Sequence, residues 1–215
     1  MKSVISIVAM AAIAGVAAGQ NVVMNGGFEM GTGGDSDFWN EFEGGAAGTA
    51  SMRSSDAPIA GDWSHVLDAV GDDTQGASAG INYNSIADGG FVSLQENTIV
   101  NMSFEADVDL GPGGVGFFVL RVLNADGAIV ADTGLQNLAN GLNTTADLLV
   151  PAFAAAPNDT YAAFAEISVG AGAFEGSLAS AKIDNVIING TLVPAPAAVS
   201  MLGLGGLVAA RRRRG

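Results

Sequence analysis

Apolar and polar residues alternate through the middle of this 215-residue chain. Over 98–110, "TIVNMSFEADVDL", Val100, Met102, Phe104, Ala106, Val108 and Leu110 fall on one side. Asn101, Ser103, Glu105, Asp107 and Asp109 fall on the other. A period of two with one apolar side is the pattern of a half-buried antiparallel strand. "GPGG" at 111–114 then turns the chain, 115–123 reads as the next strand, and "NADG" at 124–127 is a hairpin-type turn into a strand over 128–133. Strands are also expected over 64–70, 80–86, 144–150, 160–169 and 181–189, and 135–142 as one helical turn at most. Short strands separated by Gly, Asn and Asp clusters predict an all-β fold, an antiparallel β-sandwich of jelly-roll type. No internal repeat and no linker divides it.

The two ends do not share this pattern. Residues 1–19 carry one charge at Lys2, an apolar run over 4–16, and small residues at Ala17, Ala18 and Gly19, which together read as a secretory signal peptide with a helical apolar core. Residues 193–215, "VPAPAAVSMLGLGGLVAARRRRG", hold a short apolar helix over 197–210 and then Arg211, Arg212, Arg213 and Arg214. Fourteen residues at about 1.5 Å each fall short of a hydrocarbon layer of about 30 Å, so a transient membrane contact fits better than a permanent anchor. The globular part is then 20–192.

Setting the ends aside changes the charge. Residues 20–192 hold three basic and all 22 acidic residues, a formal charge of −19. Such a surface repels nucleic acid and anionic lipid, and suits a solvated exported protein or one that binds divalent cations. The chain has no cysteine, which removes disulfides, thiol nucleophiles and zinc-thiolate sites.

Little in the body points to catalysis. His65 is the only histidine, no G-x-S-x-G elbow accompanies it, and alternation sends Ser64 and His65 to opposite faces. It reads as a structural histidine, and no catalytic residue is assigned. The glycine-rich "GTGGD" and "GPGGVG" lack the lysine of a phosphate loop and read as turns. Sugar binding needs flat aromatic platforms beside hydrogen-bonding groups. Trp63 and Tyr83, each flanked by polar neighbours, are the ligand-binding candidates, with Phe91 a lesser one.

Two pairs of motifs carry resemblances. "NGGFE" at 25–29 with Trp39, and "IDNV" at 183–186, resemble the carbohydrate-binding-module jelly rolls of the galactose-binding-like superfamily, where an early NGGFE…W element and a late IDDV strand bracket the domain. That resemblance implies adjacent first and last strands and a buried Trp39. It also implies that Glu29 and Asp184 meet and ligate a structural Ca²⁺ with carbonyls from 56–68. Asn185 stands where the second Asp of the family motif often stands.

The tail resembles the sorting signal of PEP-CTERM proteins, exported bacterial proteins, with Val193, Pro194, Ala195 and Pro196 as the motif and Ala195 in place of its glutamate. This implies processing by an exosortase and delivery to the outer surface or an exopolysaccharide matrix. The expected function is therefore a non-catalytic, glycan-binding jelly roll of an exported protein. Its rivals are a purely structural, calcium-stabilised surface protein and a glycan hydrolase or lyase on the same fold.

Overall fold

The computed structural model describes residues 19–90, 92–152 and 160–193. The helix expected in the signal peptide, the apolar helix and arginine cluster of the tail, the motif residues Pro194, Ala195 and Pro196, and Phe91 all lie outside them. The described residues form strands only. In chain order these are β1 (Gln20–Asn21), β2 (Gly31–Thr32), β3 (Asp35–Ser36), β4 (Asn40–Gly44) and β5 (Ala50–Ser54). Then come β6 (Ser64–Val70), β7 (Ala77–Asn84), β8 (Ile99–Leu110), β9 (Gly114–Leu123) and β10 (Ile129–Asp132). The last are β11 (Gln136–Asn137), β12 (Gly141–Thr144), β13 (Leu148–Leu149), β14 (Ala162–Ala171) and β15 (Leu178–Gly190).

Two antiparallel sheets face each other, so the molecule is an all-β sandwich of jelly-roll type. The first has the order β12-β8-β15-β6-β5, with β1 beside β15 and β13 beside β8. The second has the order β10-β9-β14-β7-β4, with β11 beside β9. Alternation holds along β8: Val100, Met102, Phe104 and Ala106 are buried, whereas Leu110 is exposed because the strand outruns the core. Phe104 meets Phe118 of the opposite sheet edge to face, with centroids 5.1 Å apart. The segment 135–142 forms no helix. Its residues pair with β9 and then β8, carrying the chain from one sheet to the other, and only Leu138 is buried.

The two sequence motifs lock together. Strand β1 pairs with β15 through Gln20 with Gly190 and Asn21 with Asn189. Between Asp184 and Ile187 the register of β15 against β8 slips, and Asn185 takes the left-handed conformation, φ 51°, which Asn tolerates better than most residues. The bulge drives Val186 against the NGG turn, where its N–H donates to the Gly26 carbonyl over 2.8 Å. A β-carbon at position 26 would collide with the Val186 carbonyl oxygen, so glycine is required there. Phe28 then plugs the core with no exposed surface, 5.2 Å from the Trp39 ring and 5.3 Å from that of His65.

Candidate functional site

Glu29 and Asp184, the two carboxylates singled out in the sequence, stand near one another about Gly27. A β-carbon on Gly27 would lie 3.8 Å from Asp184 Oδ1 and 4.0 Å from Glu29 Cγ. Both grip the loop ahead of β6. Asp184 Oδ2 accepts from Ser64 Oγ at 2.8 Å and from the Ala60 amide at 2.9 Å. Glu29 Oε1 accepts from the amides of Asp62 at 2.9 Å and Trp63 at 3.3 Å. Burial raises the pKa of Asp184; its hydrogen bonds from Ser64, Ala60 and Asn185 oppose this, and the Glu29 charge adds to it.

The cations nearby belong to the chain. Lys182 Nζ donates to the carbonyls of Asp56 at 2.8 Å and Ala57 at 2.6 Å. The buried Arg53 donates to the carbonyls of Phe28 at 2.7 Å and Glu29 at 3.1 Å. Among the described residues no three His, Cys, Asp or Glu side chains converge as a metal site, so Glu29 and Asp184 supply two carboxylates and further ligands would have to be backbone carbonyls.

The proposed aromatic pair does not assemble. Tyr83 has no exposed surface; its hydroxyl donates to the Val22 carbonyl at 2.8 Å and its ring lies 5.3 Å from Trp39. It is therefore corrected from ligand platform to core residue. The asparagines beside it face the other way, and their polarity misled the assignment. Trp63 is half-exposed, but the Arg53 guanidinium carbon sits 3.7 Å from its ring centroid and occupies one of its faces. Trp39 is in the core.

His65 is buried without charge. Burial lowers its pKa from 6.5 to about 3. Its Nδ1 lies 2.9 Å from Ser36 Oγ and its Nε2 3.0 Å from Ser51 Oγ, and Ser51 donates onward to the Gly80 carbonyl at 2.9 Å. With Ser51 donating to Gly80, the Nε2–H tautomer completes a chain of hydrogen bonds from Ser36 across the core to β7. Ser64 points out of the core to Asp184, on the side opposite His65.

A different surface gathers hydrogen-bonding and aromatic side chains: the outward face of the second sheet. Register places Phe42, Gly80, Ser168, Phe117 and Asn137 in one row across β4, β7, β14, β9 and β11. The row beside it is Asn40, Asn82, Glu166 and Val119. A third runs Asn84, Phe164, Arg121 and Asp132. Three strand spacings of about 4.8 Å put Phe42 and Phe117 about 14 Å apart on one line. The Phe42 ring lies over Gly80, where a β-carbon would collide with its Cζ. Val119 has no exposed surface, so its neighbours close over it as a floor.

Charges on this face are matched. Arg121 Nη1 lies 3.3 Å from Glu166 Oε2, and its Nε 3.3 Å from Asp132 Oδ2. Asn40 Nδ2 donates to Asp88 Oδ2 at 2.9 Å and lies 3.4 Å from Asn82 Oδ1. Among the described residues, Asn82 Nδ2 donates to nothing, while the second oxygen of Glu166, directly across the strand pair, accepts nothing. A free donor thus stands beside a free acceptor. Sequence reasoning passed over this face because its aromatic residues are phenylalanines. The available clue was β14, where the small Ala163 and Ala165 alternate with the larger Phe164 and Glu166.

No family's sequence profile and no curated protein sequence matches the chain. Among solved structures it is similar to the enzymatically active domain of tailspike protein 4 of bacteriophage CBA120, with 21% identity and a TM-score of 0.52 over 80% of this chain and 21% of that one. This likeness concerns the fold, and the chain spans about a fifth of that tailspike domain. It also matches the CBM22-1 xylan-binding domain of Paenibacillus barcinonensis Xyn10C, with 14% identity and a TM-score of 0.42 over 83% of this chain and 97% of that one. A third match is the family 11 carbohydrate-binding module of a cellulosomal cellulase of Clostridium thermocellum, with 10% identity and a TM-score of 0.35 over 78% of this chain and 94% of that one.

Proposed function

We propose that this is a non-catalytic glycan-binding domain whose ligand lies across the strands of the second sheet, on the outward face that carries Phe42 and Phe117. The carrying observation is the row itself. Two half-buried phenylalanines stand in line, about 14 Å apart, with the unpaired Asn82 amide and Glu166 oxygen beside them. Aromatic side chains offer an apolar surface to the apolar faces of sugar rings, and the adjacent donor and acceptor suit hydroxyls. A negative body favours a neutral glycan over an acidic one. Titration of the full chain with neutral oligosaccharides tests the assignment. Phe42→Ala and Phe117→Ala should each weaken binding about tenfold, equivalent to about 1.4 kcal/mol, with little change in Tm. Unchanged affinity in both variants would refute this face, and release of reducing ends or unsaturated products would favour the hydrolase or lyase.

Calcium at Glu29 and Asp184 is a second proposal, favoured by the closeness of two carboxylates and the pressure of the Glu29 charge on Asp184. A cation bound only by the folded state raises Tm, so a chelator that leaves Tm unchanged would reject it. Export and exosortase processing, followed by outer-surface or matrix delivery, complete the reading and rest on 1–19 and 193–215. Mass spectrometry of mature protein should find the chain cut ahead of Arg211; an intact arginine cluster would overturn processing.

A further inference from the structure

A cavity of about 230 Å³ opens at one end of the second sheet, lined in part by Asn84, Ile86, Leu123, Asn124, Thr160 and Ala162. Leu123 and Ala162 are directly paired, two residues along from the Arg121 and Phe164 pair. The cavity therefore lies on the same face as the proposed glycan rows and just beyond the last of them. Its volume is below the range of roughly 300–1,000 Å³ that holds drug-sized ligands, so it admits one sugar ring or substituent rather than a chain.

Its polar lining is biased toward donors. Asn84 Oδ1 accepts from the amides of Ile86 at 3.0 Å and Ala87 at 3.1 Å. Asn124 Oδ1 accepts from the amides of Asp126 at 3.1 Å and Ala128 at 2.8 Å. Each turn thus consumes the carboxamide oxygen and fixes the group. Among the described residues, the Nδ2 of neither asparagine has a partner. The rest of the wall named here is apolar, apart from the Thr160 hydroxyl. Asp88, bonded to the Asn84 amide at 2.8 Å, and Asp126 in the neighbouring turn disfavour an anionic occupant.

A small group that carries a neutral acceptor oxygen beside a methyl matches this lining. We propose that the cavity receives the acetyl group of an acetylated sugar, with the carbonyl oxygen accepting from the carboxamides and the methyl against Ile86, Leu123 and Ala162. The proposal deepens the glycan reading above and rests on it. It makes the sheet face the site for the backbone of the glycan and the cavity the determinant of its substitution.

Calorimetric titration of the full chain with cellohexaose, O-acetylated cellohexaose and chitohexaose tests it, since the three share a backbone and differ in acetylation and its carrier atom. At least one acetylated hexamer should bind about tenfold tighter than cellohexaose, the worth of one added hydrogen bond with its packing. Which one does so identifies ester or amide as the carrier. Asn124→Asp keeps the oxygen its turn needs and removes the donor; Ala162→Leu fills the cavity. Both should erase the preference and leave cellohexaose affinity unchanged, and the second stands in if the first fails to fold. Equal binding of all three hexamers, or a preference that survives both variants, overturns the cavity assignment while the sheet face stands. Absence of binding to all three overturns both.

Discussion

Acidification should expose the cost of burying His65. In the folded state its pKa is about 3, against 6.5 for a free imidazole, because burial penalises the charged ring. The unfolded chain therefore binds a proton that the folded chain refuses between these values, and stability falls as pH drops through that window. Above about pH 6.5 the contribution is intact. The full difference of 3.5 pH units corresponds to about 5 kcal/mol, and from pH 7 to pH 4 to about 3 kcal/mol. Asp184 and Glu41 have the opposite sign: burial raises both, so each favours folding at acid pH and loses that contribution as pH rises. The His65 share is isolated by comparison with His65→Gln, which cannot titrate. Urea unfolding of both proteins at pH 4, 5, 6 and 7 should show the wild-type advantage over the variant shrinking by about 3 kcal/mol as pH falls to 4. A difference independent of pH would refute the reasoning, since it would mean that His65 takes up its proton equally readily in both states.

Three further outcomes follow from the geometry. Gly26→Ala should cost about 1 to 3 kcal/mol in chemical denaturation, because its methyl collides with the Val186 carbonyl, whereas Gly44→Ala, with open space around it and no left-handed backbone, should cost little. Phe104→Ala, in the core, should lower stability by about 3 to 5 kcal/mol, whereas Phe42→Ala, at the surface of the second sheet, should cost less than about 1 kcal/mol; equal losses would place Phe42 in the core. Arg53→Met should cost about 2 kcal/mol by leaving the Phe28 and Glu29 carbonyls without their donor, and should change Trp63 fluorescence as the stacked cation is removed.

The fold was readable where burial followed the alternation. Strand β6 has the bounds expected from the chain, Ser64–Val70, although its inward side includes His65 and its outward side Val66 and Val70. Strand β8 differs from expectation by one residue, because its inward positions are apolar and its outward ones polar. Strands β4 and β5 were invisible for the opposite reason. Their inward positions hold Glu41, Glu43, Ser51 and Arg53, which bond to amides, carbonyls and His65 at the sandwich edge, so the pattern runs inverted. That Glu29 and Asp184 brace the same loop, 60–64, follows the bracketing of the domain by the paired motifs. Tyr83 could not be placed from its neighbours alone, since which side of a strand faces the core is decided by the partner sheet. The proposed glycan face depends on register across four strands, β4, β7, β14 and β9, a long-range property that short motifs do not encode.

The pairing of β1 with β15 bears on how the domain carries load. Gln20 and Gly190 sit opposite one another at the same end of an antiparallel pair. Tension applied between the flanks at 19 and 193 would open this contact like a zipper, one rung after another, rather than loading all rungs together in shear. On the leading side the Gln20–Gly190 and Asn21–Asn189 pairs load first, followed by the Val22 amide on the Ile188 carbonyl and Val186 on Gly26. The other flank is held by the Gln95 amide on the Thr191 carbonyl and the Val193 amide on that of Ser93. A force probe attached at both flanks should thus detect early, low-force release of the leading segment, while attachment through one flank alone leaves the sandwich hanging unstrained with its second sheet free.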